Sequence, residues 1–295
     1  MSHHADAIPR LETFILEPPG LGTALRISIA QPVMPVLAAT SDAPVAVIYA
    51  TDADYHFGTV IDAARMGAYS SDVAPAVIVG IGYAEENGDL DFVSSRRFLD
   101  FYSGERRSFD AGAYGRFEFG GADAFLAALR DHVIPFVEKH VPRIDPARRV
   151  LLGTSAGGHF ATYAMAKDPT LFSAYALMSP VLVNPQDPAD DVLVRMIAEL
   201  PEDHIPAATR IFLSAGSLEE EPGTMFAHLA INGNARRLCA VLAQRGLAAD
   251  YVEFADETHV SVNGAAINRA LRLVLPVTSK PDWQAALAAT PDADG

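Results

Sequence analysis

The sequence predicts an α/β protein, with a mostly parallel central sheet, helices on both faces and an antiparallel pair at its N-terminal edge. Three observations predict it. From residue 44 onward, short apolar or β-compatible runs (44–50, 75–81, 149–152, 174–178, 210–215 and 250–254) alternate with helix-compatible segments, as in sheets whose strands are joined by crossover helices. Several of these runs stop at polar residues, the usual boundary of a strand whose end faces a functional crevice. Residues 149–165 read as a strand, a sharp turn and a proline-free helix.

Taken in order, residues 11–17 and 24–30 are β-like runs separated by Pro18-Pro19-Gly20, an antiparallel edge pair. The buried strand 44–50 runs into a polar loop, Thr51-Asp52-Ala53-Asp54, and a helix is expected over 56–66. Strand 75–81 follows. Residues 82–120 show no clear period and are rich in arginine and aromatics, so an ordered, functional loop is expected. Phe125, Leu126, Leu129, Val133, Ile134 and Val137 recur at helical spacing over 121–140, with Pro135 as a possible kink. After the strand 174–178, residues 181–208 read as an excursion over the top of the sheet. Strand 210–215, a helix over 225–245, strand 250–254 and a helix over 262–275 complete the pattern. One domain spanning 1–295 is the economical reading, with 82–120 and 181–208 shaping a pocket and 276–295 as a tail.

Composition narrows the function classes. Half of the 295 residues are apolar, enough for a sizeable core, and the formal net charge of −15 argues against non-specific nucleic-acid binding or an anionic membrane surface. Cys239, the single cysteine, excludes an intrachain disulfide and falls in the apolar register of a helix. No run is long and apolar enough to span a membrane, and the N-terminus lacks a secretory pattern, so a cytoplasmic location is expected. His3-His4 reads as a bland mobile end. Nothing in the pattern specifies an oligomeric state.

The chemistry centres on Gly153-Thr154-Ser155-Ala156-Gly157, placed between strand and helix. Glycines two before and two after the serine allow a tight corner, and the serine sits where helix amides favour an anion. Three other strand ends carry polar groups: Asp52 to Asp54, Glu219-Glu220 and His259. The chain order serine, acid, histidine is that of an α/β-hydrolase triad. A serine hydroxyl needs a base to take its proton, and that imidazole needs an acid to orient it. This assigns Ser155 as nucleophile, His259 as general acid/base and Glu219 as orienting acid, with Glu220, Glu221 and Asp256 as alternative acids. The Ala156 amide would supply one oxyanion donor and that of Asp54, or otherwise Ala53, the second. Residues 52–56 could be read as a metal cluster, but no matching ligand set is apparent elsewhere, and no metal or cofactor is expected.

The chain resembles the esterase branch of the α/β-hydrolase superfamily that includes esterase D and the siderophore (enterobactin-type) esterases. The resemblance rests on residues 153–158, on Ile48-Tyr49-Ala50-Thr51-Asp52-Ala53, on 120–126 with Ile134-Pro135-Phe136, on 168–172 running to Ser179-Pro180, on 215–219 and on Glu257-Thr258-His259. It implies cofactor-free carboxylic-ester hydrolysis of a small-molecule substrate, with the triad on Ser155, Glu219 and His259 and the second oxyanion donor on Asp54. Siderophore-type members often carry aromatics after the Ser-Pro pair, whereas this chain has Val181-Leu182-Val183, and its one tryptophan is Trp283. Arg96, Arg97, Arg106 and Arg107 could bind an anionic ligand or form a solvated face. The expected function is a serine carboxylesterase working through an acyl-enzyme. Acyl transfer or siderophore-ester hydrolysis on the same machinery is the alternative, ahead of a non-catalytic scaffold.

Overall fold

A computed structural model describes residues 10–32, 43–85, 89–110, 116–184, 186–224 and 226–277, without the Phe109 side chain. His3, His4 and Trp283 lie outside the described residues, as does the tail from 278. The strands are β1 (Leu11–Leu16), β2 (Leu25–Ala30), β3 (Val45–Ala50), β4 (Ala76–Tyr83), β5 (Arg107–Asp110), β6 (Arg116–Phe119), β7 (Ile144–Thr154), β8 (Ala174–Met178), β9 (Arg210–Gly216) and β10 (Ala249–Phe254). The helices are α1 (Ala53–Tyr69), α2 (Leu90–Phe101), α3 (Ala122–Ala128), α4 (Ile134–His140), α5 (Ala156–Lys167), α6 (Val192–Glu199), α7 (Ile231–Gln244) and α8 (Val262–Val274).

Eight strands form one sheet in the order β1-β2-β4-β3-β7-β8-β9-β10. The β1–β2 and β2–β4 pairs are antiparallel, and the remaining pairs are parallel. Side chains alternate between two cores, as the period of two along a strand requires. Val45, Val47 and Tyr49 of β3 join Leu151, Tyr175 and Leu177 against α2–α7. Ala46, Ile48 and Ala50 join Val150, Leu152, Ala176 and Met178 against α1 and α8. Both faces are covered, which is why β3 and β8 read as unbroken apolar runs. On the first face Phe101, Phe125 and Phe160 meet edge to face at 5.1 and 4.9 Å, tying α2 and α3 to α5. Such pairs add about 0.5–1.5 kcal/mol each beyond their burial.

Three expectations are corrected and a fourth is sharpened. First, α1 begins at Ala53, not at residue 56, so Asp54 lies in its first turn and not in a loop. Second, the described part of residues 82–120 is largely regular. They contain α2, capped by the Asp89 carboxylate on the Asp91 and Phe92 amides at 2.9 and 3.1 Å, and the β5–β6 antiparallel pair. The periodicity of α2 is hidden because the half-buried Arg96 and Arg97 and the buried Asp100 are held in ion pairs and not displayed on a polar face. Third, the helix over 225–245 is broken: a short 3₁₀ turn, Ala227–Leu229, ends at Ala230 in the left-handed region (φ 46°), where α7 starts. Fourth, the helix over 121–140 widens into a π turn at Leu129–Val133 just before Pro135, with the Ile134 amide donating to the Leu129 carbonyl. Cys239 is half-buried, its Sγ 3.5 Å from the Ala249 carbonyl.

Chain direction makes one crevice inevitable. From β3 the chain moves to β4 on one side, and β7 is added on the other, so the connections leaving β3 and β7 diverge at a switch point. The turns that carry Asp52 to Asp54 and Ser155 stand there.

Candidate active site

Ser155 links β7 to α5 with φ 57° and ψ −116°, a strained conformation for a residue with a side chain. Its amide donates to the Met178 carbonyl at 3.0 Å, and its carbonyl accepts from the His159 amide at 3.0 Å. The glycines around it have separate reasons. A Cβ on Gly153 would stand 2.9 Å from the Gly158 nitrogen, and one on Gly157 would lie 2.8 Å from the Asp52 carboxylate. Strand, helix and the β3 turn can approach this closely only without those carbons.

Two connections bring the acid and the imidazole together. Gly216, the last residue of β9, admits the segment after β10: a Cβ there would lie 2.8 Å from the Glu257 carbonyl carbon. The Ser217 amide donates to the Phe254 carbonyl at 2.8 Å and that of Leu218 to the Glu257 carbonyl at 3.0 Å. Glu219 and His259 therefore meet, with His259 Nδ1 2.6 Å from Glu219 Oε2. The imidazole Nε2 is 2.9 Å from Ser155 Oγ. Because the carboxylate can only accept, Nδ1 carries the proton and Nε2 is free to accept the serine's. Glu219 is 1 % exposed and His259 8 %, so water competes little for these bonds. Phe226 covers the imidazole at a centroid distance of 4.1 Å.

Of the alternative acids, Glu220 is engaged elsewhere and the other two are exposed. Glu220 Oε1 accepts from the Gly233 amide at 2.8 Å, capping α7. Asp256 is exposed in the left-handed region, its amide donating to Ser217 Oγ at 2.9 Å. Glu221 is exposed.

Ala156 opens α5, and Asp54 is the second residue of α1, whose leading amides have no acceptor within the helix. The β3 turn is held against the Ser155 turn by the Thr51 amide donating to the Leu152 carbonyl at 3.0 Å. The Asp54 carboxylate points to Arg26 and accepts from the Tyr83 amide at 3.1 Å. Asp52 (φ 57°) does not cap α1; Arg97 grips it in a two-pronged pair at 2.8 and 2.9 Å. Burial works against the Arg97 charge, but Asp52 holds it firmly ionised. Arg96 reaches both Asp100 oxygens from one nitrogen, Arg106 pairs with Glu118 and Arg107 with Glu105. Each of these four arginines, Arg96, Arg97, Arg106 and Arg107, thus carries a carboxylate partner. Burial lowers the basicity of His56 in α1, and the nearby Arg97 and His259 add to the effect against Asp52.

Sequence reasoning missed two neighbours of the site. Ser179, after β8, donates from Oγ to Glu219 Oε1 at 2.6 Å. His159, one turn beyond Ser155, is buried with Nδ1 2.7 Å from the Val181 carbonyl and Nε2 3.0 Å from Ser103 Oγ. Burial pushes its pKa down to about 4. It faces a cavity of about 200 Å³ that Tyr102, Arg107 and Asn184 also line. Val181, Leu182 and Val183 are core residues, so the lack of aromatics there does not describe a pocket wall. Among the described residues no group of three or more His, Cys, Asp or Glu is arranged to hold a metal ion, and no helix is long and apolar enough to cross a membrane.

The chain is similar to known esterases in sequence and in fold. Residues 30–263 match the family described as Putative esterase. Over 245 residues, 78% of either chain, the sequence is 33% identical to the ferri-bacillibactin esterase BesA of Bacillus subtilis. It is 29% identical over 287 residues, 90% of this chain and 93% of the relative, to the siderophore triacetylfusarinine C esterase of Aspergillus fumigatus. The siderophore hydrolase EstA of Aspergillus nidulans shares the fold with a TM-score of 0.75 at 22% identity, over 94% of this chain and 100% of that one. The fold is of the α/β-hydrolase type, and the chain belongs to this esterase family as an ester-hydrolysing enzyme.

Proposed function

We propose that the protein hydrolyses the ester bonds of a siderophore, with Ser155 as nucleophile, His259 as general acid/base and Glu219 as the acid that orients it. The observation that carries the reading is the unbroken line of contacts from Ser155 Oγ through His259 to Glu219, at 2.9 and 2.6 Å. In the first step the Ser155 oxygen attacks the ester carbonyl as its proton passes to His259 Nε2. The tetrahedral oxyanion is held by the amides of Ala156 and Asp54, and its collapse expels the alcohol, protonated by His259. Water then repeats the sequence on the acyl-enzyme and releases the acid. Each oxyanion donor contributes about 3 kcal/mol to the transition state by comparison with donor deletions elsewhere. Support for a siderophore substrate comes from the relatives, which are named for ferri-bacillibactin and triacetylfusarinine C. We take the catalytic unit as a single domain, because one sheet carries all three groups, and place the enzyme in the cytoplasm.

The test uses purified protein and Ser155→Ala with a fluorophosphonate probe, p-nitrophenyl esters, ferri-bacillibactin and triacetylfusarinine C, the last two followed by mass spectrometry. Labelling and hydrolysis that vanish in the variant support the reading. Turnover of simple esters with both siderophores intact removes the siderophore assignment. Labelling with product only when an alcohol acceptor is added would point to acyl transfer.

A further inference from the structure

We propose that Ser179 is a positioning residue for the reaction, its hydroxyl holding the Glu219 carboxylate in the rotamer that meets His259. This rests on the reading of Ser155, His259 and Glu219 as a triad. Glu219 has two oxygens and almost no access to solvent. One, Oε2, faces His259. The other, Oε1, accepts from the Gly216 amide at 2.5 Å and from Ser179 Oγ at 2.6 Å. A buried carboxylate needs donors on both oxygens, and without them it turns toward whatever donor remains. Gly216 belongs to Glu219's own turn and fixes only the near side of the group. Ser179 arrives from β8, the neighbouring strand, and fixes the carboxylate relative to the sheet.

Backbone conformation makes the hydroxyl conspicuous. Ser179 is fully buried at φ 43°, in the left-handed region that glycine enters without steric penalty and other residues resist. A glycine would satisfy the turn, and its amide would still donate to the Ser214 carbonyl as that of Ser179 does at 2.8 Å. What serine adds is the bond to Glu219. The same segment also reaches the nucleophile, since the Val181 amide donates to the Ser155 carbonyl at 3.2 Å. Residues 179–181 thereby set the acid and the nucleophile turn in one frame.

The test compares Ser179→Ala and Ser179→Gly in the full chain. Both lack the hydroxyl; alanine keeps the strained backbone and glycine relieves it. With a p-nitrophenyl ester, kcat should fall about 10- to 100-fold in both, the range for a lost hydrogen bond to a charged group, with KM within about threefold. Ser179→Gly should melt at or above Ser179→Ala. The far-downfield proton resonance of the His259–Glu219 bond should move in both variants. More than half of wild-type kcat in either variant, recovery of activity in glycine alone, or an unmoved resonance overturns the proposal. Glu219→Gln, assayed alongside, separates the two levels. If it is active, the triad reading falls and this inference with it; if it is inactive while Ser179→Gly is active, only the role of Ser179 falls.

Discussion

Gly157→Ala adds a single methyl group where the two turns of the site touch. The new Cβ would lie 2.8 Å from the Asp52 carboxylate and nearer still to Thr51 Oγ1. Neither neighbour can yield easily. Asp52 is clamped by the Arg97 fork at 2.8 and 2.9 Å, and Thr51 is tied by its amide to the Leu152 carbonyl at 3.0 Å. Relief requires the start of α1, with the proposed Asp54 donor, to retreat from Ser155 by roughly 0.5–1 Å. A displacement of that size at a reacting centre can lower kcat by about 10²-fold. Stability moves less: alanine gains up to about 1 kcal/mol of helix propensity, and overpacking costs about 1–3 kcal/mol. Gly264→Ala in α8, where a Cβ meets nothing within 4 Å, is the control, and should gain about 1 kcal/mol with unchanged kinetics. Steady-state kinetics on a p-nitrophenyl ester and urea unfolding read both. A Gly157→Ala enzyme within twofold of wild-type kcat would refute the placement of the second oxyanion donor.

Glu219→Gln should lower kcat by about three to four orders of magnitude, the effect of presenting the imidazole with the wrong partner, whereas Glu220→Gln should keep activity, its amide oxygen still able to accept from Gly233 and only the charge at the start of α7 lost. Arg97→Met leaves Asp52 buried and uncompensated and should cost about 3–5 kcal/mol in urea unfolding, with Asp52→Asn/Arg97→Met recovering part of the loss. His159 gives a pH signature. Its unfolded imidazole binds a proton below pH 6.5, but the buried one does so only near pH 4, so stability falls as pH drops through that window, by about 3 kcal/mol at most. Burial pushes Asp100 up to about 6, which gives the opposite slope between pH 3.8 and 6, so the measurement is the difference between wild type and His159→Gln. A wild-type pH dependence no steeper than the variant's would contradict a buried neutral His159.

The sheet was legible because its central strands are covered on both faces, which leaves unbroken apolar runs that no polar alternation can disguise. Ser155 was legible because its corner needs glycines at fixed offsets, a local requirement written locally. The acid was less so: Glu219, Glu220 and Glu221 are equivalent in sequence, and only the close approach of Gly216 to Glu257 directs the first of them at His259. Helix α2 was hidden for a related reason. Its buried face holds Asp100, gripped by Arg96, and its Arg97 reaches across to Asp52, so charge marks contacts between distant segments and not solvent. Asp89, a capping residue just ahead of α2, was the available signal. The Ser179–Glu219 bond spans 40 residues and leaves no trace in spacing.

Backbone strain in this protein is distributed along one edge of the sheet. Asp52 after β3, Ser155 after β7, Ser179 after β8 and Asp256 after β10 all take positive φ without being glycine, at 57°, 57°, 43° and 61°. Left-handed backbone costs a residue with a side chain about 1–2 kcal/mol, so glycine at any of these turns would relax the fold locally. Three of the four side chains explain why glycine is absent. Asp52 holds Arg97, Ser155 reaches His259, and Ser179 reaches Glu219. A strand end bent this way turns its side chain sideways, into the crevice between neighbouring strands, instead of continuing along the sheet. The central strands, buried on both faces, are rigid enough to hold the bend, since each fully buried Leu, Ile or Phe contributes about 1.5–3 kcal/mol against it. Glycine at 52, 155 or 179 would therefore release strain and remove a contact of the site in the same step, which ties the geometry of the site to the stability of the sheet beneath it.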